Sequence, residues 1–446
     1  VAAQAWGSRF GFLMASIGFA VGLGNIWRFP YVTGENGGSA FVLVYLLCVF
    51  GIGVPILMAE VMLGRRGGLT PPSSMAAVAA ADGRSVRWAV FGYLNLATAA
   101  SILVAYGVVA GWVLSYLVGA VGGAFAGTDA QTSAQAFDAL LADVPIMILW
   151  SAVAMGLAGG ILYAGLRNGV ERIISLLMPL LFVLLIVLAI ANVFIGGMGE
   201  ALTYLFSPDF SKVNAGMLLA AVGQAFFSIG VAMAGMMMFG AYLPKDISIG
   251  KSALIIVSAD TAVALLAGLV IFPMVFHNGL DPSSGTGLIF KTLPVAFAQM
   301  PGGGIIGIAF FLLLSVAAVT SVVGLAEPLV AWAVEARAWS RQRATIIVVG
   351  VCVGFGVVSV LSYNVWSHVA WFGRSLGGWI DFLPNQVFLP LGGLAIAIFV
   401  GWRLSENTAR DELDLGDTAF FVWRNLLRYV VVPAVAIIFV AGLSGS

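Results

Sequence analysis

Residues 18–30 read GFAVGLGNIWRFP, and they lie inside an apolar segment that begins near residue 9. Each glycine weakens a helix by about 1 kcal/mol relative to alanine, and here three of them (18, 22 and 24) fall within seven residues. Asn25, Arg28 and Pro30 follow at once. This pattern predicts an unwound turn in the middle of a membrane span. Backbone groups freed at that depth must face protein or a polar cavity, since lipid offers them no partner. The break is therefore expected to bind something small.

The chain around it has the composition of a membrane protein. Of 446 residues, 61% are hydrophobic and only 9% charged, and apolar runs of spanning length recur throughout. The first run contains Asn25 and Arg28 and no short apolar core followed by a cleavage site, so it reads as a span and not as a signal peptide. A net charge of zero gives no reason to expect nucleic acid as a partner. No phosphate-binding loop is present, which argues against ATP-driven transport. His277 and His368 stand apart, and no His, Cys and carboxylate cluster has metal-ligand spacing. No nucleophile–base pair suggests an enzyme. Cys48 and Cys352 fall in different spans and read as free buried thiols.

The fold class expected is an all-α polytopic membrane protein of eleven spans. They cover residues 9–31, 39–63, 87–121, 143–163, 169–194, 215–242, 250–276, 303–335, 343–362, 378–402 and 418–443. Sixteen of the twenty Lys and Arg residues fall at one face by this assignment. Only Lys212, Lys291 and Arg374 fall at the other, and Arg28 lies within the membrane. The positive-inside rule then places the amino terminus in the cytoplasm and, with an odd number of spans, the carboxyl terminus outside. Two outer loops are long: 122–142, expected to be partly helical, and 277–302, where Ser283 to Leu293 is expected to form a short re-entrant or surface helix. A loop of that length is usually functional, for instance as a lid.

The sixth span repeats the anomaly of the first. Its centre, GQAFFSIGVAMAG (223–235), mixes Gln224 and Ser228 with glycines at 223, 230 and 235. Paired broken helices in corresponding positions point to a transporter with its site at the membrane midplane. The single domain 1–446 is accordingly read as repeat one (9–194), repeat two (215–402) and an extra eleventh helix (418–443). Glycines that merely let helices pack closely are the competing explanation.

Polar groups at membrane depth are costly and usually functional. Asp260, in SADTAVALLAGL, must be protonated, paired or bound to a cation. With the neutral oxygen donors Asn25 and Ser228 it would form a hard-oxygen site for a small cation. Thr320 and Ser321, each read alone, would bond back to their own helical turn; beside free carbonyls near Gly18 and Val21 they would make a second site. Arg28 and Asp381 suit an outer gate, unless Arg28 snorkels to the interface. Tyr106 either donates to an anion or serves as a packing aromatic.

The segments GFAVGLGNIWRFPYVTGENGGSAFVLVY (18–45), GQAFFSIGVAMAG, AAVTSVVGLAEP (317–328) and DFLPNQVFLPLGG (381–393) together resemble the neurotransmitter:sodium symporter family, in its bacterial amino-acid-transporting branch. The resemblance runs over essentially the whole chain. It implies a 5+5 inverted repeat with helices one and six broken, and two Na+ sites. The first would use the Ala20 carbonyl, Asn25, Ser228, Asp260 and the substrate carboxylate. The second would use the carbonyls of Gly18, Val21 and Ala317 with the hydroxyls of Thr320 and Ser321. The substrate carboxylate would meet Tyr106 and the backbone around Gly22 and Gly24, and its amine the carbonyls of Ala20, Phe227 and Ser228. Its side chain would lie among Ile102, Phe227, Gly230, Met233, Ser321 and Leu325. Phe227 would be the lid, Arg28 with Asp381 the outer gate, and Tyr242 part of the inner one.

Departures from the family pattern carry information. Monoamine carriers have an aspartate where this chain has Gly22, so the resemblance implies a substrate with its own carboxylate. Animal members bind chloride near the positions of Tyr45, Gln224 and Ser228 with a further serine; here Ala264 stands in that place and Asp260 already carries negative charge, so no chloride is expected. The family's inner-gate arginine is replaced by Ala3, which leaves Glu335 without that partner. Gly230 and Met233 leave a roomy, deformable pocket. The expected function is sodium-coupled symport of hydrophobic L-amino acids across a bacterial inner membrane. A homo-oligomer is compatible with it. A symporter for another small zwitterion, a non-transporting amino-acid sensor and a sodium-conducting channel are the alternatives; counterflow or excess current in liposomes distinguishes the last two.

Overall fold

A chain so poor in charge satisfies its backbone through helices. The computed structural model describes residues 5–283 and 287–444. Among these, nine helices are long and apolar enough to cross a membrane: Ser39–Gly67, Val86–Val121, Val144–Tyr163, Leu166–Ile195, Ile249–His277, Gly303–Arg337, Arg341–Ser362, Leu376–Arg403 and Asp417–Leu443. A tenth span is the bent pair Arg9–Ala20 and Gly24–Glu35, whose halves meet at 47°. The remaining expected span, the sixth at 215–242, is present as Ala215–Ser228 and Gly235–Ala241. Each piece alone is too short to cross, because the intervening residues leave the helix. The only strands described are the two-residue pieces Ala370–Trp371 and Arg374–Ser375, paired antiparallel before the tenth span.

Both breaks arise from local sequence. In span one Val21 is extended (φ −72°, ψ 100°). In span six Gly230, Ala232 and Ala234 have φ of 71°, 61° and 63°. Glycine takes that conformation freely, whereas alanine there costs roughly 1–2 kcal/mol. A buried carboxylate holds the strained stretch: the Ala232 N–H donates to Glu60 Oε1 at 2.6 Å.

Span two runs against the second half of span six, Gly235–Ala241, with almost no side chain between them. A Cβ on Gly64 would fall 1.8 Å from Met237 O, and one on Gly240 would fall 2.4 Å from Val61 O. Small residues permit this backbone approach. Just beyond, the Arg65 guanidinium donates to Ile247 O at 2.6 Å and pairs with Glu412.

Helix Glu406–Leu413 joins spans ten and eleven and is clamped by Asp82, which accepts from Ser405 N at 2.8 Å and from Thr408 Oγ1 at 2.7 Å. Partial burial pushes the Asp82 carboxyl up, but the hydrogen bonds from Ser405 and Thr408 outweigh it and hold the group below the usual carboxylate value.

The outer loops are partly helical. Ala130–Ala142 lies in the first. In the second, described helix runs over Leu288–Gln299, later than the expected Ser283 to Leu293. Residues 284–286 lie outside the described set. The shift follows from Pro294, which is tolerated in the first turn of Leu293–Gln299 and lets the helix continue past it. Lys291 ties the two loops by an ion pair with Asp138 at 2.9 Å. Cys48 and Cys352 are free thiols.

Candidate functional site

The two breaks face each other across a small cavity. Its walls are Phe19, Ala20, Gly22 and Gly24 from span one, Ile102 and Tyr106 from span three, Phe227, Gly230 and Met233 from span six, and Ser321 and Leu325 from span eight. The space between them is tight, with room for only about 30 Å³ of water-sized solvent centres. Ten of the eleven residues expected to contact substrate line it; Ser228 lies just behind the wall.

The polar end is built from backbone released by the break in span one. The Leu23 N–H donates to Tyr106 Oη at 2.8 Å, which leaves the Tyr106 proton available to an acceptor in the cavity. Gly22 N–H donates to Asn25 Oδ1 at 3.2 Å. Gln224 Nε2 donates to Gly24 O at 2.9 Å. The polar residues singled out in the sequence thus also satisfy the exposed backbone. The opposite end, with Ile102, Met233 and Leu325, is apolar. The half-helix starting at Gly24 turns its positive end to this cavity and the one ending at Ser228 its negative end, an arrangement that orients a zwitterion.

Directly behind lies an oxygen cluster. Ser228 Oγ donates to Asp260 Oδ2 at 2.7 Å. Asn25 Nδ2 donates to Asp260 Oδ1 at 2.8 Å and to Asp260 O and Ser228 Oγ, both at 3.0 Å. Asp260 is 0% exposed, and among the described residues no cationic side chain pairs with it. The donor set fits a small hard cation once the Asn25 amide turns its oxygen inward. At the second expected site, Thr320 Oγ1 donates to Val316 O at 3.0 Å and Ala317 O at 3.1 Å. Ser321 Oγ reaches Phe19 O at 3.5 Å. A hydroxyl that donates backward keeps its lone pairs for a cation, so the local hydrogen bond and the ligand role are compatible. Gly18 packs tightly on span five, where a Cβ would meet Met178 Sδ at 2.7 Å.

Access differs at the two ends. Phe227 also lines a vestibule of about 1260 Å³ that holds Arg28, Tyr31, Tyr363 and Asp381. Arg28 and Asp381 are not paired. Arg28 donates to Gln224 Oε1 at 2.8 Å and lies 4.8 Å over the Phe227 ring, while Asp381 accepts from Asn385. The opposite end is sealed. Trp6 Nε1 donates to Phe239 O at 3.0 Å, and Trp6 N to Tyr242 O at 3.2 Å. Tyr242 Oη donates to Glu327, which pairs with Arg341 at 2.5 Å. Ala3 lies outside the described residues. Glu335 accepts from Thr70 N and Oγ1.

Three pairings escaped the sequence reading: Glu60 with the span-six break, Arg341 with Glu327, and Gln224 with Arg28. A carboxylate inside an apolar run was a signal for Glu60 and Glu327. Nothing local pointed to Arg341, which sits at a helix start like any interfacial arginine.

This geometry meets its family by comparison. The family model for the sodium:neurotransmitter symporter family matches residues 3–136 and 131–373. The chain belongs to this family. A sodium-dependent transporter of Bacillus subtilis is 34% identical over 438 residues, covering 97% of this chain and 96% of that one. One from Haemophilus influenzae is 31% identical over 449 residues, covering 99% and 98%. The crystal structure of MhsT in complex with L-phenylalanine matches with a TM-score of 0.91 at 41% identity, over 98% of this chain and 99% of that one. As a member of the sodium:neurotransmitter symporter family, this chain is a sodium-dependent membrane transporter of a small molecule and not an enzyme.

Proposed function

We propose that this symporter carries hydrophobic L-amino acids together with Na+ by alternating access, without chloride, across a bacterial inner membrane. The observation that carries this is the single cavity with Leu23 N, Tyr106 and the Asp260 cluster at one end and Ile102, Met233 and Leu325 at the other. An α-carboxylate and amine fit the first end and an apolar side chain the second. MhsT, bound to L-phenylalanine, gives independent support for a hydrophobic amino acid. Two sodium ions are assigned, one at Asn25, Ser228 and Asp260 and one at Thr320 and Ser321 with nearby carbonyls. Spans one to five and six to ten form the two repeats, and the arginine-rich end faces the cytoplasm. Sodium drives the cycle only by binding one conformation better than the other. Outer closure brings Phe227 down and Arg28 to Asp381; inner opening releases Trp6 from Phe239 and Tyr242. Radiolabelled amino acids offered to proteoliposomes with and without a sodium gradient test the whole reading. Uptake confined to hydrophobic L-amino acids under the gradient is expected, and ligand binding without counterflow would replace the transporter by a sensor.

Chloride independence rests on Ala264, which is fully buried and offers no hydroxyl, and on the negative charge of Asp260. Replacing chloride by gluconate is expected to leave the uptake rate within about twofold of the control. A large loss would overturn this assignment alone.

Tyr106→Phe keeps the ring and removes the hydroxyl that joins Leu23 N to the cavity. A hydrogen bond to a charged group contributes about 1.5–3 kcal/mol, so substrate affinity is expected to fall about tenfold to a hundredfold. Equilibrium binding of the transported amino acid measures it, and an unchanged affinity would assign Tyr106 to packing.

A further inference from the structure

Where the end of span ten meets the start of span eleven, the guanidinium groups of Arg424 and Arg428 converge on one carbonyl, Gly401 O. Arg424 is only 7% exposed. It donates to Leu404 O at 2.7 Å and Gly401 O at 3.3 Å, while its Nη1 is buried without a hydrogen-bond partner. Arg428 donates to the same Gly401 O at 2.5 Å. Arg403, two residues beyond Gly401, is exposed. Among the described residues none of the three forms an ion pair; the nearby acids Glu406 and Asp417 are taken by Arg410. Capping a helix carboxyl end explains one such arginine, since the end of a helix carries about −0.5 charge. It leaves a second buried-side arginine whose charge no ion pair among the described residues offsets, with Glu406 and Asp82 only at a distance.

The surroundings suit a lipid more than a soluble anion. Trp402 and Tyr429 are 50% and 61% exposed, their rings stack edge to face at 5.6 Å, and Arg428 lies 5.4 Å over Trp402. Such aromatics mark the level of lipid headgroups. From Arg403 and Trp402 a groove of about 700 Å³ continues to the apolar Ile398 and Val432. Charge at one end and apolar wall at the other match a phosphate headgroup and the start of an acyl chain. Basic pockets between spans recognise anionic headgroups in this way.

We propose that this groove binds the phosphate headgroup of an anionic membrane phospholipid, with Arg403 lining it, Arg428 beside it over the ring of Trp402, and Arg424 sharing the Gly401 carbonyl with Arg428. The test uses the full chain, purified and returned to nanodiscs of phosphatidylcholine with or without phosphatidylglycerol. Bound lipid is read by native mass spectrometry and thermal unfolding by intrinsic fluorescence. Because both leaflets have the same composition, the result does not depend on the orientation of the protein. Wild-type protein is expected to retain phosphatidylglycerol and to unfold at a higher temperature in its presence. The double variant Arg403→Gln/Arg428→Gln is expected to lose about fivefold in retention for each charge removed. Arg374→Gln, at the opposite end, is expected to retain as much as wild type. If the double variant does not fold, Arg403→Gln alone must show the single fivefold loss. Undiminished retention in the variant that folds would overturn the proposal. So would stabilisation by inorganic phosphate equal to that by phosphatidylglycerol, which would mark a free-anion site.

Discussion

Asp260→Ala is expected to abolish sodium-dependent substrate binding. The carboxylate is fully buried and holds the Asn25 amide and the Ser228 hydroxyl at 2.7–2.8 Å. Its removal takes away the one formal charge in that cluster and leaves two buried donors without their acceptor. Removing one partner from a buried charged network costs about 3–5 kcal/mol, or about two to three orders of magnitude in ion affinity. Coupling is reciprocal, so a substrate whose carboxylate completes the cation site loses affinity with the ion. Titrating labelled amino acid at high and at zero sodium reads the effect directly. Asp260→Asn separates charge from shape: it keeps a hydrogen-bonding side chain, and it is expected to lose the sodium response as well. Wild-type affinity in either variant would show that the ion is held elsewhere.

The second large effect is expected at Gly22. A Cβ there would fall 2.3 Å from Ser321 Oγ and 2.6 Å from Tyr106 Oη. Both hydroxyls belong to the cavity wall, so the methyl group of Gly22→Ala enters the space assigned to the substrate carboxylate and pushes on its donors. Overpacking a closed site costs typically 1–3 kcal/mol, and the expected outcome is amino-acid affinity about ten- to a hundredfold weaker together with a lower unfolding temperature. Gly22→Ala/Ser321→Ala removes the nearer hydroxyl and is expected to recover part of the affinity. A single variant that transports normally would place the carboxylate away from Gly22.

Much of this site was legible because its parts break local rules. Glycines and an arginine have no place in an ordinary span, so both helix breaks stood out. Asp260 announced itself for the same reason. The cavity wall came from resemblance, and the structure gathers it into one space. The pairings were not legible. Glu60 with Ala232, Arg28 with Gln224 and Trp6 with Phe239 join residues more than 170 positions apart, and no periodicity encodes a partner at that range. The helix Leu288–Gln299 runs past the expected end at Leu293 because Pro294 falls in a first turn that tolerates it.

The close passage of span two along the second half of span six has a mechanical meaning. Backbone meets backbone at Gly64 and Gly240, Glu60 grips Ala232, and Arg65 reaches Ile247 O. Where backbone meets backbone at Gly64 and Gly240, no side chain intervenes to slide or change rotamer. Residues 232–247 and span two therefore travel as one lever. The joint that lets this lever swing lies at the other side of the grip, between Ser228 and Val231, next to the substrate cavity. Motion of this half is geared to the substrate cavity, and a larger residue at Gly64 would wedge the lever apart at Met237 without touching the cavity.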